Sequence, residues 1–68
     1  MDIRIRFGQK VKKYRLKKNL SQESLANKAN IDRTYIPSIE KGERNVSIII
    51  VEKIANALEI PIKKLFEE

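Results

Sequence analysis

Apolar residues recur along this chain at helical rather than strand spacing. Phe7, Val11 and Tyr14 fall at i, i+4 and i+7, one stripe of a helix whose other faces carry Lys10, Lys12, Lys13, Lys17 and Lys18. Upstream, Ile3, Ile5 and Phe7 alternate with Arg4 and Arg6, a pattern that fits a short strand as well as the first turn of that helix. Asn19 tolerates the left-handed conformation that closes a helix and Leu20 can fold back as its apolar contact, so helix one is expected to stop near Lys18.

Ser21 then reads as an N-cap, although Ser24 supplies no Glu or Gln to complete a capping box. Helix two is expected from Gln22 to about Lys28, burying Leu25, Ala26 and Ala29, side chains that include two small enough for close helix approach. Ala29, Asn30 and Ile31 make a tight connection in which Asn30 accepts a positive φ. Helix three should end near Lys41, with Ile36 and Ile39 inward and Gly42 as its left-handed stop. Its start is open. If Asp32 is the cap, Pro37 stands within the helix, where an interior proline costs about 3 kcal/mol; otherwise the helix begins later with Thr34 as cap, or it is bent.

Residues 43–46 form a polar loop with Arg44 and Asn45 at its tip, and Ser47 caps helix four, Ile48 to about Leu58. That helix opens on four consecutive apolar residues, which point in directions about 100° apart and cannot all reach one core. With Val51, Ile54, Ala55 and Leu58 inward, Ile49 and Ile50 are expected mostly outside. Pro61 ends the helix by Ile60, and a last turn from Ile62 to Phe66 lays Leu65 or Phe66 over the bundle. The expected fold is all-α, a compact five-helix bundle forming a single domain over residues 1–68, without repeat or linker.

Composition narrows the chemistry. The 68 residues contain no Cys and no His, which removes disulfides, thiolate nucleophiles, imidazole bases and the common transition-metal ligands. No convergent nucleophile and base is visible, so neither an enzyme nor a cofactor is expected. The net charge is +6, and it is unevenly placed: residues 1–34 hold ten basic and three acidic side chains, residues 35–68 five basic and six acidic. A polyanionic partner is favoured, with its footprint in the first half. No apolar run approaches the roughly 20 residues of a membrane span, and the amino terminus lacks an apolar signal core, so a cytoplasmic location is expected. Eight basic side chains without an acid over residues 4–18 suggest a membrane-active peptide as one reading, but the apolar face there is limited to Phe7, Val11 and Tyr14.

The most informative segment is helix two, a three-residue connection and helix three. A helix-turn-helix needs a small residue where the helices cross, a left-handed-tolerant residue in the turn, and apolar residues pinning the second helix; Ala26, Asn30, and Ile36 with Ile39 meet those needs in order, over a motif at about 21–41. Leu-Ser-Gln-Glu-Ser-Leu-Ala at 20–26, followed by Asp-Arg-Thr-Tyr-Ile-Pro-Ser-Ile-Glu-Lys-Gly-Glu-Arg-Asn at 32–45, resembles the Cro and repressor type (XRE-like) DNA-binding family. Arg-Thr-Tyr-Ile and the Glu-Arg-Asn loop are most similar to controller proteins of bacterial restriction-modification systems. The resemblance covers roughly residues 6–66. It departs at Asn30 and Glu59, where the family favours Gly, at Val46, where Pro is common, and at Pro37, where a non-proline residue such as Ser is usual.

The resemblance implies a lambda-repressor-like fold and a sequence-specific transcriptional regulator that inserts helix three into the major groove of double-stranded DNA. Carried onto matching positions, it implies that Arg33, Thr34 and Ser38 read bases, with Arg44 from the next loop as a further reader. Arginine suits the paired guanine acceptors, and threonine offers a hydroxyl plus a methyl for thymine. Ser21, Gln22, Tyr35, Lys41 and Asn45 are the implied phosphate contacts, joined by backbone N–H groups at the start of helix two. Plainer roles stand beside these: Arg33 as a solvated arginine, Thr34 and Ser38 as capping hydroxyls, Tyr35 as packing, and the helix-one lysines as a solvated face.

In similar proteins an arginine late in helix one pairs with the glutamate ending helix three, which makes Arg15 and Glu40 a structural ion pair here. Ile49, Ile50, Ile62 and Phe66 are the candidate dimer interface, within a dimerisation region at about 47–66. A twofold homodimer would space two recognition helices about 34 Å apart, matching a palindromic operator. Acidic residues on helix two touch RNA polymerase in similar regulators; Glu23 reads on its own as an acid favoured in a first helical turn. The alternative function is an antitoxin of similar fold whose main partner is a toxin protein.

Overall fold

The computed structural model describes residues 2–67, which fold into four α-helices and one 3-10 helix, with no strand among them: α1 (Ile3–Lys17), α2 (Gln22–Ala29), α3 (Tyr35–Glu40), α4 (Ile48–Leu58) and the 3-10 helix Ile62–Leu65. The expected five-helix bundle is therefore corrected in its last member. Pro61 is extended and starts a segment only four residues long, which closes through short-range bonds from Lys64 N–H to the Pro61 carbonyl and from Phe66 N–H to the Lys63 carbonyl, each 3.0 Å. No helix among the described residues is long and apolar enough to cross a membrane.

Asp2 decides the ambiguous first segment. Its carboxylate accepts from Arg4 N–H at 2.7 Å and from the Arg4 guanidinium at 2.9 Å, so the alternating Ile3, Ile5 and Phe7 begin α1 rather than a strand. Those hydrogen bonds from Arg4 hold the Asp2 carboxyl down to about 2.

All four helices stop by the same device. Asn19, Asn30 and Glu59 each have φ 58, and Gly42 has φ 75. Beyond each, an N–H reaches back five residues: Leu20 to Arg15, Ile31 to Ala26, Glu43 to Ser38 and Ile60 to Ala55, at 3.0 to 3.1 Å. Leu20, Ile31 and Ile60 then fold onto the core as the apolar contacts of these stops.

α1 packs chiefly on α3, and α2 on α4. Gly8 sits at the first crossing, where a β-carbon would run into the Ile39 carbonyl oxygen, so the close approach depends on its missing side chain. Val11, Leu25, Ile36, Ile39, Ile54, Leu58 and Leu65 are fully buried. α4 needs one correction. Ile49 is 62% exposed as expected, but Ile50 is half-buried against the core, because it lies about 40° from Ile54 around the helix. The outermost isoleucine is Ile48, at 87% exposed.

Candidate nucleic-acid interface

The frame of the site is a charged knot between α1, α2 and α3. Arg15 donates from Nε to Glu40 Oε2 at 2.7 Å and from Nη2 to Oε1 at 3.1 Å, a bidentate pair, and its Nη1 donates to the Leu20 carbonyl at 2.8 Å. Gln22 Nε2 adds a third donor to the Glu40 carboxylate at 3.1 Å. Both charged side chains are below a tenth exposed. The start of α2, the end of α3 and the turn between α1 and α2 are thereby tied to one another.

At the start of α2, Ser21 Oγ accepts from Ser24 N–H at 3.0 Å and donates to Ser24 Oγ at 2.9 Å. The first backbone bond within the helix runs from Leu25 to the Ser21 carbonyl, so the N–H groups of Gln22 and Glu23 precede the ladder and face outward.

The segment before α3 is built by Asp32. Its Oδ1 accepts from Thr34 N–H at 2.8 Å and from Thr34 Oγ1 at 2.7 Å, while its carbonyl accepts from Tyr35 N–H at 3.0 Å. The Thr34 hydroxyl, its N–H and more weakly the nearby Arg33 and Arg44 charges hold the Asp32 carboxyl below the usual carboxylate range. Thr34 occupies the cap position but its side chain does not cap α3; that work falls to Asp32 one turn earlier. Pro37 is the third residue of α3, within the first turn, where its missing N–H has no helical partner to lose. The recognition helix is short but unbroken.

Arg33, Thr34, Gln22, Glu23 and Pro37 line a shallow recess of about 280 Å³ between α2 and α3. Arg33 is three-quarters exposed, and its Nη1 stands 3.5 Å from Glu23 Oε2, a solvated pair too weak to hold it against a competing anion or base edge. Beside this recess Ser38 Oγ donates to the Tyr35 carbonyl at 2.9 Å and lies 3.3 Å from that of Thr34. Arg44 Nε donates to Ser38 Oγ at 2.9 Å, with the guanidinium 4.2 Å from the centre of the Tyr35 ring. Lys41 and Asn45 are exposed at the end of α3 and on the following loop. Sequence reasoning missed two neighbours here, Glu23 against Arg33 and Pro37 on the recess wall; only the relative placement of α2 and α3 brings them in.

The apolar surface lies elsewhere. Phe66 stacks on Phe7 with ring centres 5.2 Å apart, and a shallow cavity of about 250 Å³ runs between Ile3, Phe7, Ile48, Val51 and Phe66, bordered by Arg4 and Arg44. Ile62 is 43% exposed nearby in sequence, so of the four expected interface residues Ile49, Ile62 and Phe66 are open while Ile50 is largely occupied by the core.

Comparison with known proteins agrees with this geometry. Residues 11–65 match the family model described as helix-turn-helix. The chain is 53% identical over 68 residues to control protein C.MunI of Mycoplasma sp, covering 98% of this chain and 92% of that protein. The crystal structure of the restriction-modification controller protein C.AhdI from Aeromonas hydrophila superposes with a TM-score of 0.90 at 43% identity, over 93% of this chain and 96% of that one. C.Esp1396I bound to a 25 base pair operator site superposes with a TM-score of 0.86 at 39% identity, over 97% of this chain and 87% of that one. The chain belongs to the helix-turn-helix (XRE-type) family of DNA-binding transcription regulators that includes the restriction-modification control proteins.

Proposed function

We propose that this chain regulates transcription as a homodimer on a palindromic operator, and that it controls a restriction-modification operon. The carrying observation is the start of α3: Arg33, three-quarters exposed, and Thr34 stand together over the recess, on a segment held by Asp32 and leading into a helix whose far end is tied to α1 by the buried Arg15–Glu40 pair. A relative of the same fold is bound to an operator site, which supports DNA as the partner. Arg33 reads guanine through its paired donors. Thr34 has spent its hydroxyl proton on Asp32, so it meets a base as an acceptor or through its methyl. Arg44 is the third reader. Gln22, Tyr35, Lys41, Asn45 and the backbone N–H groups at the start of α2 contact phosphate, and Ser21 joins them when its hydroxyl turns from Ser24 to the anion. The motif spans α2 and α3, and residues 47–66 carry the dimer contact.

Selection of bound duplexes from a random pool tests this reading. The wild type should recover a palindrome, and Arg33→Ala should relax one position per half-site, a loss of about 1–3 kcal/mol of discrimination there. Lys41→Ala should instead weaken all sequences alike and lower the salt slope by about one. Recovery of no preferred sequence by the wild type would overturn the function; unchanged preference in Arg33→Ala would remove Arg33 from the readers.

A further inference from the structure

Ser38 lies on α3 about one turn beyond Thr34, and its hydroxyl proton and one of its two lone pairs are already committed. A hydroxyl has one proton, and that of Ser38 goes to the carbonyls of its own helix, 2.9 Å away at Tyr35 and 3.3 Å at Thr34. One of its lone pairs receives Arg44 Nε at 2.9 Å. Nothing is left to donate to a base edge, and the residue is half-buried.

We propose that Ser38 is a positioning residue: it fixes the Arg44 guanidinium, together with the Tyr35 ring, so that the two terminal nitrogens of Arg44 are presented to DNA in one orientation. The geometry is suited to this. Arginine specificity comes from a planar fork that must meet two acceptors at once, and a long side chain on a loop otherwise loses rotamer freedom on binding. Here the inner edge of the fork is held by the Ser38 hydroxyl and one face by Tyr35 at 4.2 Å, leaving Nη1 and Nη2 at the outer end. The hydroxyl is itself held by the first turn of α3, so the loop arginine is referenced to the recognition helix rather than to its own loop. Asp32 completes the arrangement by holding Thr34, whose carbonyl faces the same hydroxyl.

The proposal rests on the DNA-binding reading above, and its test separates the two. Binding to the selected duplex is measured for wild type, Ser38→Ala, Arg44→Ala and the double variant, with Ser38→Thr as the conservative replacement, because a helical threonine hydroxyl keeps the bond to the carbonyl three or four residues back. Ser38→Ala should weaken binding about tenfold, equivalent to about 1.4 kcal/mol, and relax the same base position as Arg44→Ala. It should cost nothing further in the Arg44→Ala background, and Ser38→Thr should restore both affinity and preference. In the free protein, exchange of the Arg44 Nε proton, followed by nuclear magnetic resonance, should be slow in wild type and Ser38→Thr and fast in Ser38→Ala.

An equal loss from Ser38→Ala with and without Arg44 would show that the serine acts on DNA or the fold directly, and would overturn the proposal. So would unchanged binding in Ser38→Ala, or an Nε proton that exchanges equally fast in wild type and Ser38→Ala. Absence of any preferred duplex for the wild type would overturn the DNA-binding reading and this proposal together.

Discussion

Glu40 accepts from three donors at once, two on Arg15 and one on Gln22, while its side chain is only 5% exposed. Removing it would leave the Arg15 guanidinium buried with only the Leu20 carbonyl as partner. The cost of such an unpaired charge exceeds what the intact pair contributes, so Glu40→Ala should destabilise the fold by about 3–5 kcal/mol. It should weaken DNA binding in parallel, since the start of α2 and the end of α3 lose their common anchor. Thermal or urea unfolding checks this, and a wild-type melting temperature in the variant would refute it. Arg33 is the opposite case at the same scale: exposed, loosely paired with Glu23, and free to leave it. One charged residue is spent on the frame and the other is left exposed.

At the scale of the element, each helix closes on a left-handed residue followed by a backward hydrogen bond. Asn19, Asn30 and Gly42 announce these stops in the sequence, because their side chains tolerate positive φ. Glu59 does not; tertiary packing of Ile60 on the core holds it at φ 58 against its own preference. That conformation costs an ordinary L-residue about 1–2 kcal/mol. Glu59 recovers little of this from Lys18 and Lys28, whose ammonium groups lie 3.7 and 3.6 Å away in solvent. Glu59→Gly should therefore raise stability by about 1 kcal/mol, read as a higher urea midpoint with an unchanged slope. A midpoint at or below wild type would show that the two lysine contacts outweigh the backbone strain. Pro37 teaches the reverse lesson. In the chain it stands inside a helical pattern, and whether it disrupts α3 depends on where that helix begins. Asp32 moves the start to Tyr35, so the proline falls in the first turn.

At the scale of the molecule, the chain separates two surfaces. The recess between α2 and α3 is ringed by charged and polar residues, and the surface around Phe7, Ile48 and Phe66 is apolar. With Ile48 at 87% and Ile49 at 62% exposed, the start of α4 offers more uncovered aliphatic area than its neighbours require, which is what a second copy would cover. Ile49→Asp is the informative variant, because Ile49 points away from the core whereas Ile50 packs against it. The wild type should sediment as a dimer at micromolar concentration. Ile49→Asp should run as the 7.9 kDa monomer, keep its stability to within about 0.5 kcal/mol, and bind the full palindrome more weakly. A wild type that is already monomeric there would exclude this dimer.

The sequence by itself determined the helices, most of their boundaries, the excess of basic charge in the first half and the motif that places α2 before α3. These depend on residues within about five positions of one another: apolar spacing, capping side chains and left-handed-tolerant stops. Only the tertiary structure decided that Ile50 turns inward while Ile48 stays out, that the last segment is a 3-10 turn, and that Ser38 receives Arg44. The reason is physical. Each of these depends on which neighbouring element covers a side chain or donates to it, and that is set by how the helices pack, not by the order of residues within any one of them.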